Sequence, residues 1–449
     1  MRASEPLRKV LIVSPHFPPI NAPDHQRVRM SLPYFRRYGW EPYVLAVRPD
    51  CVEGVHDTLL EKMVPDDVPV TRTGALPVNQ TRAVGLGSLS LRCLPHMLAA
   101  GSRIIAREKV DLVYFSTTMF PVMALGRRWL SRFGVPYVLD FQDPWLNDYY
   151  ERPGAPPPPG GRLKYGVART LARVLEPYTM RRVRHSISVS PAYPSTLMGR
   201  YSWLRENQFT VLPFGAAEKD FESLPSLGVK QTIFTPGDGR RHYVYVGRGG
   251  GDMEKALRIL FLGIRSDREK HGGRWEKVRL HFVGTTYAMG ERAAKSVEPV
   301  AAACGVADLV EEHAYRIPYF EALQVLADSD GIILVGSDDP GYTASKLYPC
   351  VLARKPVFAV FNENSSVVNV LRRCNVGRAV TFDSGDDPAA LAPQCAAHLE
   401  WLLSLPEDYV PDTDWTAFAP FTAQEMTRRQ CEVFDRCLAA LSVSEQSWR

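Results

Sequence analysis

The apolar positions of this chain gather in short continuous runs rather than in alternation. Residues 10–14, Val-Leu-Ile-Val-Ser, form the first. Such a run fits a strand covered on both faces, as in a parallel sheet. A loop of His16, Phe17, Pro18, Pro19, Ile20, Asn21, Ala22 and Pro23 follows. A helix is then expected over 25–38, with Asp24 as its N-cap and Gly39 as its end. Residues 241–257, RHYVYVGRGGGDMEKAL, repeat this order of apolar run, glycine-rich loop and helix-like segment. Ligands of open α/β sheets sit where strand gives way to helix. Two such openings in one chain imply two α/β domains with a ligand between them.

The remaining runs fill in both domains. In the first half, strands are expected at 42–47, 111–116, 135–141, 186–190 and 209–212, with helices over 120–133 and 163–183. In the second half, strands are expected at 242–246, 279–283, 309–311, 331–335 and 357–360. Helices fall between them, at 254–268, 290–304, 318–327 and 345–353. Alternation of this kind means parallel sheets. Residues 152–161 are rich in proline and glycine and read as a surface loop. The tail, 415–441, has apolar residues at helical spacing, among them Met426, Val433 and Leu438. The expected organisation is a first domain over 1–222, a linker over 223–241, a second domain over 242–414 and a tail helix over 415–449.

Length and composition agree with two soluble globular domains. The chain has 449 residues, 45% hydrophobic and 23% charged. No apolar run is long enough to span a bilayer, and the N-terminus lacks a signal-like apolar core. A cytoplasmic location is expected. Eight cysteines are scattered singly, without a C-x-x-C pair, which argues against a zinc site or a disulfide framework.

Charge is uneven. Residues up to Glu222 carry a net +9 and the remainder −4. Basic residues cluster at Arg162, Lys164, Arg169, Arg173, Arg181, Arg182 and Arg184. A solvated helix face is one reading; weak contact with an anionic membrane surface or a phosphate-bearing acceptor is the other. The overall balance is too mild for a nucleic-acid binder.

In sequence order, five segments resemble the retaining GT-B glycosyltransferases, specifically the large bacterial sugar-nucleotide-dependent group known as family 4-like. They are VLIVSPHFPP at the start, GVPYVLDFQDPW over 134–145, SISVSPAYPSTL from Ser186, VLPFGAAEKDF ending at Phe221, and YVGRGGGDMEKAL. The resemblance implies a GT-B fold of two Rossmann-like, doubly wound parallel-sheet domains facing across a cleft. The tail helix would cross back to the first domain. It also implies a retaining, hexosyltransferase-like enzyme with a nucleotide-diphosphate sugar as donor and no cofactor. No Asp-x-Asp pair flanked by strand residues is present, so no metal is expected.

Chemistry supports the same placement of the donor. A departing diphosphate develops negative charge that must be met. Arg248 offers a planar fork of donors and Lys255 a movable point charge. Gly247, Gly249 and Gly250 allow close backbone approach, and the following helix start adds amide donors. Within the family the matching Arg and Lys bind the diphosphate, although Lys255 stands two residues further along than usual. In the segment 341–356 the family carries two glutamates eight positions apart. Gly341 and Pro349 replace them here. Thr343 or Ser345 is then the candidate cap, with Lys346 and the amides of Ser345, Lys346 and Leu347 as phosphate contacts.

The acceptor-side candidates are His16, Asn21, His25, Thr117 and Asp143, with Thr118 and Asp140 beside them. Each has a plain alternative as a loop, cap or turn residue. The acceptor expected is lipid-linked or saccharide, in cell-surface polysaccharide or glycolipid synthesis. The missing glutamates keep two other readings open: a non-catalytic GT-B sugar- or nucleotide-binding protein, and a sugar-nucleotide epimerase.

Overall fold

The computed structural model describes residues 6–82, 87–147, 151, 161–286, 294–338 and 346–446. The chain divides into two compact units. One comprises Met1–Gly215 with Ala423–Arg449, the other Ala216–Thr422. The divisions therefore fall at Gly215 and Thr422 rather than at residues 222 and 414.

The first unit holds seven parallel strands: β1 (Arg8–Val13), β2 (Trp40–Val47), β3 (Val70–Thr73), β4 (Leu112–Ser116), β5 (Tyr137–Phe141), β6 (His185–Ser188) and β7 (Phe209–Val211). Their order across the sheet is β3-β2-β1-β4-β5-β6-β7. The continuous apolar runs are explained by burial on both faces. Leu11 and Val13 join one core with Met97, Phe115 and Trp129. Val10 and Ile12 join another with Val28, Phe35, Trp40 and Tyr114. The second core is closed by the helix Ala423–Gln446, through Met426, Cys431, Val433, Phe434 and Cys437.

The second unit holds β8 (Arg241–Val246), β9 (Val278–Val283), β10 (Val310–His313), β11 (Gly331–Val335), β12 (Val357–Asn362) and β13 (Arg378–Phe382). These are also parallel, ordered β10-β9-β8-β11-β12-β13. Tyr243, Tyr245, Leu280, Phe282, Phe358 and Val360 share one core with residues of the helices Glu254–His271 and Pro388–Ser404. In each sheet the order in which strands are added reverses once, between β1 and β4 and between β8 and β11. Open sheets of this kind bind ligands in the crevice at that reversal.

Several elements differ from expectation. The helix expected over 25–38 is broken into Gln26–Ser31 and a tight turn of helix at Phe35–Tyr38. Pro33 lies between them and has no N–H to continue the ladder. Residues 218–227, half of them assigned to the linker, form the helix Glu218–Leu227, which ends at Gly228 with φ 62°. The tail helix expected over 415–441 is two helices. Trp415–Phe418 belongs to the second unit, and Ala423–Gln446 belongs to the first.

Candidate functional site

In the second unit, β8 ends beside the sheet reversal, and the chain leaves it through Gly247. The Gly247 amide donates to Val283 O at 2.8 Å, and the Gly249 amide donates to Thr285 O at 2.7 Å. These bonds hold the loop flush against the end of β9. A side chain at either glycine would have to displace a neighbour. A Cβ on Gly247 would strike Lys346 Nζ, and one on Gly249 would strike Ser296 Oγ. The loop then turns through Gly251–Met253 into the helix Glu254–His271.

Arg248 and Asp252 exchange two hydrogen bonds, Nη1 to Oδ1 at 2.9 Å and Nη2 to Oδ2 at 2.6 Å. Tyr245 OH donates to Arg248 O at 2.7 Å, which fixes the backbone that carries the guanidinium. The bond from Arg248 holds the Asp252 carboxyl below its ordinary pKa. The Asp252 carbonyl accepts from the Asp338 amide at 2.8 Å and so ties this loop to the one after β11.

Lys346 is the unusual group. Its Nζ is buried and has no hydrogen-bond partner among the described residues. It lies 5.8 Å from the centre of the Tyr245 ring. Burial pushes its pKa from 10.5 down to about 7, and the charges of Arg248 and then Arg316 push in the same direction. The positive charges of Arg248 and Arg316 thus both act on Lys346 near the end of β8, and Asp252 acts against them as a counter-charge. A buried ammonium with no partner is costly, and an anion at this place relieves the cost. Gly284, with φ 75°, lets the chain after β9 pass against Arg316.

The expected donor residues divide three ways. Gly247, Arg248, Gly249 and Lys346 come together as described, and Gly250 packs against the Arg248–Asp252 pair. Lys255 does not join them. Its Nζ donates to Asp383 O and Ser384 O, both at 2.7 Å, and so caps the loop after β13. Leu347 is a buried core residue at the start of the short helix Leu347–Leu352. Gly341, Thr343 and Ser345 lie outside the described residues. Sequence reasoning missed Arg316, Asp252 and Glu312. The Glu312 carboxylate is buried and accepts from Thr285 Oγ1 and from the amides of Ser296, Val297 and Glu298. It thereby pins Ser296 and Thr285, the residues that close over Gly249.

A second constellation occupies the reversal in the first unit. Asp24 is buried, and its Oδ1 lies 2.9 Å from His16 Nδ1. Its Oδ2 accepts from Thr117 Oγ1 at 3.0 Å, from the Thr118 amide at 3.2 Å and from Thr118 Oγ1 at 3.3 Å. Asp24 is thus not a helix cap. It is the clamp between the loops after β1 and β4. Beneath it, Asp140 Oδ2 accepts from Arg27 Nε at 2.8 Å, Ser116 Oγ at 2.8 Å and Tyr114 OH at 3.2 Å. Gln142 Nε2 bridges the two layers, donating to Asp24 O and Asp140 Oδ2.

His25 is fully buried, with Nε2 2.7 Å from Ile20 O, and desolvation lowers its pKa to about 4. It holds the loop from within and does not face an acceptor. Asn21 is half-buried, with its backbone N–H donating to Val55 O at 2.8 Å. Asp143 is exposed at the rim. Partial desolvation by the surrounding chain, with the like charge of Asp24 added, raises its pKa. His16, Thr117 and Asp143 are thus gathered around Asp24, while His25 and Asp140 are interior supports.

Residues 25–215 match the family model described as glycosyl transferase 4-like domain. No curated protein sequence matches the chain. Solved structures share the two-unit fold at low identity. The chain is similar to Anabaena HepE in complex with UDP and glucose at 16% identity, with 96% of this chain and 100% of that one covered and a TM-score of 0.55. It is similar to a glycosyltransferase from Rickettsia africae at 13% identity, with 96% and 99% covered and a TM-score of 0.56. The trehalose 6-phosphate synthase of Burkholderia multivorans is 13% identical, with 98% of each chain covered and a TM-score of 0.52.

Proposed function

Since residues 25–215 carry a glycosyl transferase 4-like domain and the two units have the GT-B fold, we propose that the chain moves a sugar from a nucleoside-diphosphate donor to a hydroxyl acceptor. The observation that carries this reading is the Lys346 ammonium against Gly247, which has no hydrogen-bond partner among the described residues and feels the charges of Arg248 and Arg316. Such a cluster matches the charge of a diphosphate. The donor is read as a UDP sugar, because HepE is solved with UDP and with UDP-glucose.

In this reading Arg248 leaves or shares Asp252 and forks onto the diphosphate, while Lys346 supplies the second charge. Both act as the glycosidic bond breaks and negative charge gathers on the leaving phosphate. Gly247 and Gly249 keep the loop thin, so the phosphate reaches the backbone. Retention of configuration and independence of a catalytic metal follow the family resemblance. Neither has a residue of its own behind it.

The acceptor is read as lipid-linked or saccharide, bound by the first unit around His16, Thr117 and Asp143. Peripheral contact with an anionic membrane fits the helix Arg162–Met180. Gly166, Val167, Thr170, Leu171 and Val174 form an apolar concavity on it, edged by Arg162. Val167 and Val174 are exposed. Glu176, the helix's one acidic residue, is buried and paired with Arg200. The exposed face is therefore apolar and basic together, as an interfacial helix requires.

The test is release of free nucleoside diphosphate from a panel of nucleotide sugars, with and without lipid-phosphate and saccharide acceptors. Acceptor-dependent release supports transfer. Tight nucleotide binding with no release under any pairing supports a binding protein instead. Conversion of the nucleotide sugar itself, without release, points to an epimerase.

A further inference from the structure

Strands β8, β9 and β10 each carry a histidine on the sheet face opposite the shared apolar core of the second unit. They are His242, His281 and His313. Glu311 stands directly opposite His281 in register, and His313 follows it by two residues on the same face. His281 and His242 are almost wholly buried, at 2% and 4% side-chain exposure. Buried polar atoms are normally hydrogen-bonded or bound to an ion, so each ring nitrogen here calls for a partner.

Two of these nitrogens have no hydrogen-bonding use among the described residues. His281 Nδ1 and His313 Nε2 are buried and lack hydrogen-bond partners among the described residues. Both point at the same carboxylate oxygen, Glu311 Oε2, from 3.5 Å and 3.9 Å. The three atoms lie within 4.8 Å of one another. Tetrahedral zinc with bonds of about 2.0–2.1 Å sets its ligands roughly 3.3 Å apart. A small closure of the three side chains reaches that spacing.

The remaining ring atoms are arranged as a metal site requires. His242 Nδ1 is 3.0 Å from His281 Nε2, and His242 Nε2 is 3.1 Å from Asp238 Oδ1. With the protons on the two Nε2 atoms, His281 donates to His242 and His242 donates to Asp238. His281 Nδ1 is then left as a lone pair facing Glu311. A histidine ligand oriented through its other nitrogen, ending on a carboxylate, is the usual outer support of a bound metal. Phe234 stacks on His242 at 4.5 Å and on His281 at 5.3 Å, which fixes both ring planes. Glu311 and His313 are partly exposed, so an ion has a path in and a fourth position open to water.

We propose that His281 Nδ1, His313 Nε2 and Glu311 bind one divalent transition-metal ion of the zinc class, with Asp238 and His242 positioning His281. The donor set, two imidazoles and a carboxylate, suits zinc and excludes magnesium or calcium as preferred occupants. The ion joins β9 to β10 and, through His242 and Asp238, braces the segment before β8. It is a structural clamp, and it takes no part in the sugar-transfer reading.

The test uses the full chain, untagged and stripped with chelator. Calorimetric titration with zinc chloride should give one saturable equivalent, and cobalt should give the visible absorption of a tetrahedral site. Melting temperature should rise with zinc, because the ion binds the folded form. His313→Ala and Glu311→Gln, both at partly exposed positions, should keep the native circular dichroism and each weaken zinc binding by about a hundredfold. Magnesium at the same concentration should produce no shift. Absence of saturable zinc binding, or binding unaltered in both variants, overturns the proposal.

Discussion

Arg248 and Asp252 lie one turn of chain apart and meet through two parallel bonds, 2.9 Å and 2.6 Å long. The guanidinium is thus held in a single orientation before any ligand arrives. Its fork already faces a carboxylate, a close mimic of one edge of a phosphate. Arg248→Ala should lower turnover roughly a hundredfold, the scale seen on removing one transition-state donor. Arg248→Lys should recover only part, since a point charge cannot fork. Asp252→Asn removes a negative charge beside the site, so nucleoside diphosphate binding should tighten a few-fold, roughly in line with a partly screened charge contact. Calorimetry on the three variants checks this. Equal affinity across all of them would remove Arg248 from the donor site.

Lys346 gives a pH signature. Its pKa in the folded chain is about 7, against 10.5 for an ordinary lysine. A bound diphosphate favours the charged form, so the pKa rises on binding and a proton is taken up. Affinity should therefore fall as pH rises above 7, until it passes the pKa of the bound state. Calorimetry at pH 8 in two buffers of different ionisation enthalpy measures the uptake, and Lys346→Met should abolish it. The sign for stability is the reverse of that for a paired lysine. Between pH 7 and 10.5 the unfolded chain holds the extra proton, so this group's contribution to stability improves with pH. The difference in stability between wild type and Lys346→Met should shrink over that window. Gly247→Ala offers an independent check, because its methyl would displace Lys346 Nζ. It should weaken diphosphate binding while leaving the thermal transition close to wild type.

Asp24 organises the first unit's site. His16, Thr117, Thr118 Oγ1 and the Thr118 amide all meet its carboxylate. Asp24→Ala leaves these groups without their shared acceptor, at a cost of about 1–3 kcal/mol for a buried unsatisfied group. Asp24→Asn keeps the shape but places an amide nitrogen where an acceptor is needed. Urea unfolding should show both variants less stable, and acceptor-dependent turnover should fall further than donor hydrolysis does. Unchanged stability in Asp24→Ala would mean that water replaces the clamp.

The apolar and basic face of the helix Arg162–Met180 should bind vesicles. Co-sedimentation at low salt should favour anionic over neutral lipid, because each lysine or arginine near such a surface contributes about 1 kcal/mol. Val167→Asp with Val174→Asp should remove binding even where the arginines remain. Replacing Arg181 and Arg182 by glutamine should weaken it and reduce its dependence on salt. Equal sedimentation with both lipids counts against the membrane reading.

Much of the fold was legible because burial on both faces leaves continuous apolar runs, as at β1, β8 and β11. β3, with two threonines and an arginine in four residues, carries no such signal, since it lies at the sheet edge. The broken helix at Pro33 was readable in principle, since a missing N–H is a local property. The donor site was half legible. Arg248 follows a strand and announces itself, whereas Lys346 and Arg316 reach the same place from other loops. Lys255 fitted the local pattern but is drawn to the carbonyls of residues 383 and 384, a contact across the unit that spacing cannot encode. The histidines are the clearest case. His242, His281 and His313 are far apart in sequence and become neighbours only through strand order, so a search for ligands at close spacing passes over them.

Phe434 tests how far the last helix supports the first unit. Its ring lies 6.3 Å from Phe35, nearly parallel, and meets Trp40 edge-on at 5.3 Å and Tyr114 at 5.1 Å. Trp40 Nε1 also donates to Asp435 Oδ1 at 3.0 Å, one residue further along the helix. Aromatic contacts of this kind add to the burial itself. The ring is fully buried, and β1, β2 and β4 contribute to the same core. Phe434→Ala should therefore cost about 3–5 kcal/mol, the range for removing a buried aromatic ring. Phe434→Leu should cost clearly less. Because the helix Ala423–Gln446 belongs to the first unit, the loss should appear in the transition that reports Trp40 and Trp129, two buried tryptophans of that unit. A second-unit reporter such as Trp275 should melt as before in a two-step unfolding. If Phe434→Ala leaves the first transition where it was, the helix is a dispensable covering rather than part of the core.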